Sequence, residues 1–476
     1  MVSEKLSTLQ LRSFCKTPNL FNAPVLNSRY YKIGKEIIQT MTPQPTRLDP
    51  PAKQSSENEE RIIIRGGKPL YGQTRVFGAK NAVLKMMAAA LLAKGVTTLR
   101  NVPNLTDVHM MAEVLRHLGA KVEIGNDEVK IDATNLTEIE APYELVSQLR
   151  ASFVVLGPLL ARCKEAKVSL PGGCAIGERR IDLHERGLKL LGAEVGIDHG
   201  YVYASATKLT GARIYLDRPS NGATENIMLA AALAEGQTII ENAAQDPEIV
   251  NLADCINAMG GKVSGAGTYQ IVIDGVRPEE MHGAIVDTIP DRLEVGTFLY
   301  ACMAAGGEVI VDGVDASHIY AVIAKIHEMG AECSVYAPDS IKIKSTGRLK
   351  PTDITTVPYP GFPTDLQAPL MAVLAVAEGT SIVTETIYEN RFMQVGELRR
   401  MGADIQLKAN SAIVKGVPKL AGAEVKSSDL RAAASLIIAG LGADGVTEVT
   451  GLSHLDRGYD RLEERLRSLG ADIYRR

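Results

Sequence analysis

The sequence predicts an α/β fold built from six copies of one helix–strand–helix–strand unit. The main observation is a repeated phrase, Leu or Met followed by Gly, that closes a helix just before a strand. Its glycines follow one another at intervals of 68 to 73 residues, at Gly119, Gly192, Gly260, Gly330, Gly402 and Gly470. Each glycine predicts a helix end that turns through the left-handed region, which other residues rarely adopt.

The first unit shows why each element should form. Residues 82–93 are almost wholly apolar and small, which predicts a helix buried on nearly all sides. Residues 96–99 favour a strand. An amphipathic helix is expected over 108–118, with Thr106 or Asp107 as its N-cap. The contrast between the two helices predicts α/β domains whose apolar helices pack together inside, with sheets around them.

Composition limits the classes of function. The 476 residues suit two or three domains, and 23% charged residues are ordinary for a globular protein. A net charge of −4 argues against a surface that attracts nucleic acid or anionic lipid. Apolar stretches fall well short of the roughly 20 residues that a membrane helix needs. Six scattered cysteines without metal-ligand spacing favour a reducing compartment and argue against a structural metal.

Residues 1–60 stand outside the repeat. They are polar and dotted with proline, which predicts a disordered N-terminal extension. Residues 1–48 hold seven Lys or Arg against two acids, a composition that favours a targeting segment for an organelle, whereas the early Glu4 argues against one. Both possibilities stay open at this point.

Positive charge marks the starts of the inner helices. Lys80, Arg150, Arg292 and Arg431 lie 38 to 42 residues before the following repeat glycine, so they are equivalent positions. A helix dipole disfavours cations at this end, unless cation and helix together bind an anion such as phosphate or carboxylate. The alternative is an exposed residue on a loose turn. With cations near the starts of the outer helices, a focused anion site is expected from Lys80, Arg150, Arg179, Arg391, Arg431 and Arg457.

A loop over residues 170–180 contains Cys174 among one proline and three glycines. Nearby Arg179 and Arg180 would lower the pKa of a thiol and make it reactive, whereas Glu178 offsets them. The residues alone leave a reactive and an inert thiol open.

Seven motifs carry a resemblance to a known family. They are Phe77-Gly78-Ala79-Lys80-Asn81, Leu149-Arg150-Ala151-Ser152, Pro171-Gly172-Gly173-Cys174-Ala175-Ile176-Gly177, Phe362-Pro363-Thr364-Asp365, Glu389-Asn390-Arg391-Phe392, Asp429-Leu430-Arg431 and Asp456-Arg457-Gly458-Tyr459. In this order they closely resemble the UDP-N-acetylglucosamine 1-carboxyvinyltransferase (MurA) family of enolpyruvyl transferases, from about Ile62 to the C-terminus. The resemblance implies two inverse α/β barrel-like domains of three repeated units each. One would span 80–289, and the other would combine 61–79 with 290–476.

The resemblance also implies a reaction. The enolpyruvyl group of phosphoenolpyruvate passes to the 3-hydroxyl of UDP-N-acetylglucosamine by addition and elimination, and phosphate is released. This is the first committed step of peptidoglycan synthesis, and it needs no metal or organic cofactor. The implied compartment is the cytoplasm, or the plastid stroma if residues 1–60 are a transit peptide.

The implied site residues are carried over motif by motif. The catalytic set is Cys174 as general acid and fosfomycin target, Asp365 as base for the sugar hydroxyl, Lys80 and Arg457. Phosphoenolpyruvate would contact Lys80, Asn81, Arg150, Arg179, Arg391, Arg431 and Arg457. UDP-N-acetylglucosamine would contact Asn81, Arg150, Arg179, Arg180, Ile181, Asp182, Leu183, Ser220, Asn221, Gly222, Asp365 and Ile387. Asp429 would support Lys80. The chain departs from the family pattern at Asn221 and Asp246, which could change contacts to uridine.

Two rival functions remain for comparison. The same fold could act on shikimate 3-phosphate, which the loop around Cys174 argues against. A non-catalytic nucleotide-sugar sensor would be expected to have lost catalytic residues, yet Lys80, Cys174, Asp365 and Arg457 are present. In the nucleotide-sugar enzyme that the resemblance implies, binding of the nucleotide sugar would close the two domains over the site and exclude water.

Overall fold

The computed structural model describes residues 60–170 and 181–476. The predicted disordered extension, apart from Glu60, therefore lies outside the described residues, as do Cys174, Arg179 and Arg180. Across the described ranges, no helix combines the length and apolar character that a membrane crossing requires.

Six four-stranded sheets confirm the predicted sixfold repeat. Every sheet has the same order: an edge strand parallel to the second strand, then a third and a fourth strand that each run antiparallel to the strand before. In that order the strands are Ile285–Asp287, Val96–Arg100, Glu128–Asp132 and Lys121–Ile124; Glu140–Ala141, Glu165–Ser169, Tyr201–Ser205 and Glu194–Asp198; Arg213–Tyr215, Gln237–Glu241, Gln270–Asp274 and Val263–Ser264; Leu70–Arg75, Gly307–Asp312, Ser340–Ser345 and Glu332–Ala337; Ile354–Thr355, Thr380–Thr384, Ser411–Lys415 and Asp404–Lys408; and Glu424–Lys426, Val446–Thr450, Ile62–Arg65 and Asp472–Arg475.

Three sheets are completed by strands from far along the chain. Ile62–Arg65 is the third strand of the sixth sheet, where it pairs with Val446–Thr450 and with Asp472–Arg475. Leu70–Arg75 forms the edge of the fourth sheet, and Ile285–Asp287 forms the edge of the first. The chain therefore crosses twice between its first three and its last three sheets.

Two kinds of helix accompany the sheets, as the first unit predicts. The inner helices are Lys80–Ala89, Leu156–Cys163, Asn221–Ala231, Arg292–Ala305, Gln367–Leu374 and Leu430–Gly442. The outer helices are Thr106–His117, Asp182–Leu190, Pro247–Ala258, Tyr320–Glu328, Val395–Arg400 and Leu462–Ser468. Tyr143–Val146 is a short helix, and 3-10 turns occupy Ala90–Leu92, Arg150–Val155, Pro278–Glu280, Ala316–Ile319, Thr364–Leu366 and Leu452–Arg457. Apolar residues of the inner helices are buried on nearly every side, which accounts for their lack of a polar face.

The repeat glycines end the outer helices as the sequence predicts. Their φ angles lie between +87° at Gly330 and +101° at Gly470, in the left-handed region. This shared turn gives the six units one geometry, so residues at equivalent positions in different units can be compared directly.

Two hydrophobic cores are separate. One gathers buried residues from Ala79 to Val286, and the other gathers Ile62 to Val76 with Leu293 to Ile473. We call residues 80–289 the first half, and residues 60–79 with 290–476 the second half. The predicted domain limits at these positions stay a prediction.

Candidate active site

Where the chain crosses between the halves, one carboxylate joins the starts of two inner helices. Asp291 caps the helix Arg292–Ala305, because its Oδ1 accepts from the N–H groups of Leu293 at 2.8 Å and Glu294 at 3.3 Å. Its Oδ2 accepts from the Lys80 N–H at 3.4 Å, at the start of the first inner helix. One carboxylate thus receives the free N–H groups of a helix in each half, and Lys80 is placed where the halves meet.

Lys80 belongs to a group of three charged residues in which Asp107 of the first half also pairs with Arg457 of the second half. Its Nζ donates to Asp107 Oδ2 at 3.0 Å, and Arg457 Nε donates to Asp107 Oδ1 at 2.8 Å. The Asp107 carboxylate is only 2% exposed. Burial lowers the pKa of Lys80, and so do the charges of Arg431 and Arg457, although Asp107 opposes them. Lys80, Arg431 and Arg457 are therefore near neighbours, as the predicted anion site requires.

Asp107 does not have the role that its place in the sequence suggests. The N-cap of its helix is Leu105, without a side-chain cap, so the expected cap at Thr106 or Asp107 is wrong. The carboxylate instead turns inward as the counter-ion of two cations, because burying the Lys80 ammonium without a counter-ion would be costly.

A second carboxylate bridges two more cations. Arg391 Nη2 lies 2.6 Å from Asp365 Oδ1, and Arg431 Nη2 lies 2.9 Å from Oδ2. Burial raises the pKa of Asp365, but Arg431 and Arg391 together hold it well below its ordinary value. Asp365 is therefore ionised and a weak base for as long as both arginines stay bound to it.

Hydrogen bonds hold this second group in place. Arg431 Nη1 donates to Tyr459 Oη at 3.0 Å, and Tyr459 is in turn bonded to Thr297 at 2.8 Å. The buried Glu385 accepts from Thr364 Oγ1 at 2.8 Å and from the Ile387 N–H at 2.7 Å. Glu385 thus ties the turn that carries Asp365 to the loop that leads to Arg391.

Six of the expected nucleotide-sugar contacts, Ile181, Asp182, Leu183, Ser220, Asn221 and Gly222, lie around two helix starts of the first half. Ser220 caps the helix Asn221–Ala231, and its side chain accepts from the Ala223 N–H. The expected contact Ile181 precedes the helix Asp182–Leu190, in which Asp182 pairs with Arg218 at 3.0 Å and Leu183 is buried. Gly222 lies against His184, because a Cβ there would be 3.2 Å from the imidazole ring.

Arg150 and Asn81 occupy neighbouring parts of the first half. Arg150 begins a 3-10 turn, and its charge contributes to the lowered pKa of His184, so the two side chains lie close together. The Asn81 carbonyl accepts from Lys85 Nζ at 3.5 Å, one helical turn further on.

Two residues have different surroundings from those expected. Arg292 stands at a position equivalent to Lys80, yet it pairs with Asp246 at 2.9 Å and Glu248 at 3.1 Å, and its side chain is 10% exposed. Asp246, a residue of the first half, thus forms an ion pair with Arg292 of the second half. Asp246 also accepts a hydrogen bond from Asn221. Within the described part of the chain, Asp429 bonds Ser428 and the first N–H groups of its own helix rather than Lys80.

Sequence reasoning missed Asp107, although a signal exists. Asp107 falls on the same helical face as Met111 and Leu115, both fully buried. An acid on an apolar face predicts a buried counter-ion. No comparable pattern marks Glu385 or His184.

The fold and the paired sites agree with a family match. Residues 64–466 match the family model described as EPSP synthase (3-phosphoshikimate 1-carboxyvinyltransferase). Among solved structures, the enolpyruvyl transferase NikO from Streptomyces tendae has a TM-score of 0.80 and 26% identity, and covers 88% of this chain and 99% of its own. An EPSP synthase from Acinetobacter baumannii shares the fold, with a TM-score of 0.67 and 20% identity over 88% of this chain and all of its own. The chain belongs to the enolpyruvyl transferases.

Curated relatives narrow the resemblance. A protein of Carboxydothermus hydrogenoformans named UDP-N-acetylglucosamine 1-carboxyvinyltransferase 2 is 54% identical over 87% of this chain and 99% of its own length. Proteins with the same enzyme name from Halalkalibacterium halodurans and Gloeobacter violaceus are 52% and 50% identical, over 87% and 91% of this chain and 94% and 92% of their own. The resemblance that the seven motifs predict is confirmed.

Proposed function

We propose that this protein transfers the enolpyruvyl group of phosphoenolpyruvate to the 3-hydroxyl of UDP-N-acetylglucosamine and releases phosphate. The observation that carries the proposal is a pair of carboxylates, each held between two cations. Asp107 bridges Lys80 and Arg457, and Asp365 bridges Arg391 and Arg431. A small molecule with a phosphate and a carboxylate fits two such neighbouring groups.

Each group of cations would receive one end of phosphoenolpyruvate. Lys80 and Arg457 would bind its phosphate, together with Arg150 and Arg179, while Arg391 and Arg431 would bind its carboxylate. Because Lys80 and Arg457 come from different halves, a phosphate bound to both would hold the halves together. Asn81 would line the same side of the site.

Binding would also switch Asp365 into a base. In the structure two arginines hold the pKa of this carboxyl far below its ordinary value. A substrate carboxylate that takes over Arg391 and Arg431 removes both counter-ions from Asp365. Burial then raises the pKa of Asp365, so that it can accept the proton of the sugar hydroxyl.

The proposed chemistry balances in two stages. A proton from an acid, for which Cys174 is the candidate, is added to the methylene carbon, and the 3-hydroxyl oxygen bonds to the adjacent carbon as Asp365 takes its proton. The tetrahedral adduct then loses phosphate from that carbon, and a proton from the new methyl group returns to the acid that was deprotonated in the first stage, which restores the vinyl group. Asp429 is proposed to support Lys80 indirectly, through the helix start that it caps and that carries Arg431.

The nucleotide sugar would lie along the two helix starts of the first half, with its sugar hydroxyl toward Asp365 of the second half. Its proposed contacts are Asn81, Arg150, Arg179, Arg180, Ile181, Asp182, Leu183, Ser220, Asn221, Gly222, Asp365 and Ile387. The Ser220 cap and the adjacent Arg150 support an anion there, because a helix start and a guanidinium both favour negative charge.

Phosphate release with two acceptors tests the proposal. The purified protein with phosphoenolpyruvate should release phosphate when UDP-N-acetylglucosamine is added, and not when shikimate 3-phosphate is added. Lys80→Met should remove this activity, whereas Lys419→Met, on the surface, should retain it. Turnover with shikimate 3-phosphate would contradict the proposed acceptor, and no turnover with either would contradict the reaction.

The compartment is proposed as the cytoplasm or, if residues 1–60 are a transit peptide, the plastid stroma, because the scattered cysteines favour a reducing compartment. Sequencing the N-terminus of the protein from its own cells distinguishes the two. Removal of about the first 60 residues would indicate a transit peptide.

A further inference from the structure

His184 is not among the expected contacts of either substrate. Two residues of the first half, Asn226 and Phe153, hold its ring on one side. It is the third residue of the helix Asp182–Leu190, and its Nδ1 lies 3.0 Å from Asn226 Nδ2. Its ring makes a T-shaped contact with Phe153, with ring centres 5.2 Å apart and planes at 80°. The imidazole therefore has a fixed orientation.

A neighbouring backbone group decides which nitrogen carries the hydrogen. The Gly157 N–H donates to Asn226 Oδ1 at 2.8 Å, which fixes the orientation of the Asn226 amide. The amide NH₂ then faces His184, so Nδ1 must accept. A neutral ring in this setting carries its hydrogen on Nε2.

The same contact opposes protonation of the ring. A second proton would place an N–H of His184 against the N–H of Asn226. Burial lowers the pKa of His184 to about 4, helped by Arg150 and by Lys85, while Asp182 on the same helix opposes this. His184 is thus a neutral donor beside two cations.

The Nε2 edge faces the start of another helix. A Cβ at position 222 would lie 3.2 Å from both Nε2 and Cε1, so Gly222 leaves the space that the ring needs. No hydrogen bond joins Nε2 to another residue in the described ranges. The nitrogen therefore offers a donor next to Gly222, in the first turn of the helix that Ser220 caps.

We infer that His184 binds the nucleotide sugar, by donating its Nε2 hydrogen to an anionic oxygen of the diphosphate while Asn226 fixes the tautomer. This inference rests on the proposed function, since Ser220 and Gly222 are proposed contacts of that substrate. A neutral donor suits the place, because Arg150 already supplies charge and the imidazole supplies direction.

Two substitutions separate the ligand contact from the structural one. His184→Asn keeps a side-chain atom near the Nδ1 position for Asn226 but has no donor at the Nε2 position. His184→Gln places an amide NH₂ near the Nε2 position but loses the Nδ1 acceptor. For His184→Asn we expect the KM for UDP-N-acetylglucosamine to rise about tenfold or more, as for a lost hydrogen bond to a charged group. His184→Gln should recover part of this, and the KM for phosphoenolpyruvate should change little.

The control is His199→Asn, since His199 is exposed on a turn between two strands. Equal effects of His184→Asn and His184→Gln, or equal effects on the two KM values, would overturn the inference. If the wild type shows no turnover with UDP-N-acetylglucosamine, the proposed function fails instead. Normal turnover with an unchanged KM in His184→Asn refutes only the role of His184.

Asn226→Asp tests the tautomer. Its carboxylate can still accept from Gly157, but it would now accept from Nδ1–H as well and raise the pKa of His184. Above that pKa the neutral ring has a lone pair at Nε2, so the KM for UDP-N-acetylglucosamine should rise with pH, whereas the wild-type KM should not follow this titration. A ¹⁵N spectrum of wild-type His184 should show Nε2 protonated and shifted by UDP. A protonated Nδ1, or no shift with UDP, would overturn the inference even if Asn226→Asp does not fold.

Discussion

Replacing Asp107 by alanine should destabilise the protein strongly, and phosphate should reverse much of the loss. The carboxylate is 2% exposed and lies between Lys80, 12% exposed, and Arg457, 37% exposed. Removing one member of a buried ion pair costs roughly 3 to 5 kcal/mol of unfolding free energy. Because Arg457 is partly exposed, we expect about 3 kcal/mol for Asp107→Ala. Inorganic phosphate can take the vacated position, since two cations then face each other without a counter-ion.

The assay is urea unfolding with and without phosphate. Asp107→Ala should lose about 3 kcal/mol of unfolding free energy without phosphate and should gain more from added phosphate than the wild type does. Asp107→Asn, which keeps the shape, should behave similarly because the charge is what is lost. Asp444→Ala, which breaks an exposed pair with Lys419, should cost at most about 1 kcal/mol. An Asp107→Ala protein as stable as the wild type, or one that phosphate does not stabilise further, would refute the reasoning.

The same variant has an expected pH dependence. Burial lowers the pKa of Lys80 below its ordinary value in the folded protein. Between that lowered pKa and the ordinary value, the unfolded chain holds more protons, so stability rises with pH. Asp107 partly opposes the lowering, and its removal should extend this window to lower pH. The loss in Asp107→Ala should therefore shrink as pH rises, and a loss that grows with pH would contradict this account.

Three further predictions concern other parts of the chain. Arg292→Met should lower the free energy of unfolding in urea by about 3 kcal/mol, because it leaves two buried carboxylates unpaired. Arg292→Lys should recover part of this loss, and a loss under about 1 kcal/mol in Arg292→Met would contradict the buried pairing. Gly402→Ala should lower the free energy of unfolding by about 1 kcal/mol, since the φ of Gly402 is +94° but the space for a Cβ is open. Gly119→Ala should lower it more, because the added Cβ would lie 2.6 Å from Thr137 N. Equal losses would show that the φ angle alone decides the cost. Fosfomycin should alkylate Cys174 and stop turnover while Cys174→Asp stays active, and a wild type that is fully active in excess drug would remove the proposed role of that thiol.

Local signals made the repeated fold predictable. The repeat glycines mark one turn in every unit, and the apolar stretch at 82–93 identifies an inner helix, observed as Lys80–Ala89 followed by a 3-10 turn. The strand pairings of Ile62–Arg65 and Leu70–Arg75 join segments hundreds of residues apart. No local propensity encodes such pairings, so only the resemblance to a family placed this segment with the second half.

The site was partly predictable for a similar reason. Equivalent positions in repeated units correctly grouped Lys80 with Arg431, because the inner helices start at one place in each unit. The same argument failed for Arg292, whose guanidinium meets acids of the first half. Which counter-ion a cation finds depends on contacts between the halves. Asp107 was missed on that account, because one of its two cations, Arg457, comes from the other half.

The most direct test is a crystal structure of the protein with UDP-N-acetylglucosamine and an unreactive analogue of phosphoenolpyruvate. The phosphate of the analogue should lie between Lys80 and Arg457, with its carboxylate on Arg391 and Arg431 and with Asp365 released toward the sugar hydroxyl. An analogue bound elsewhere, with Asp107 and Asp365 still paired to all four cations, would contradict the account.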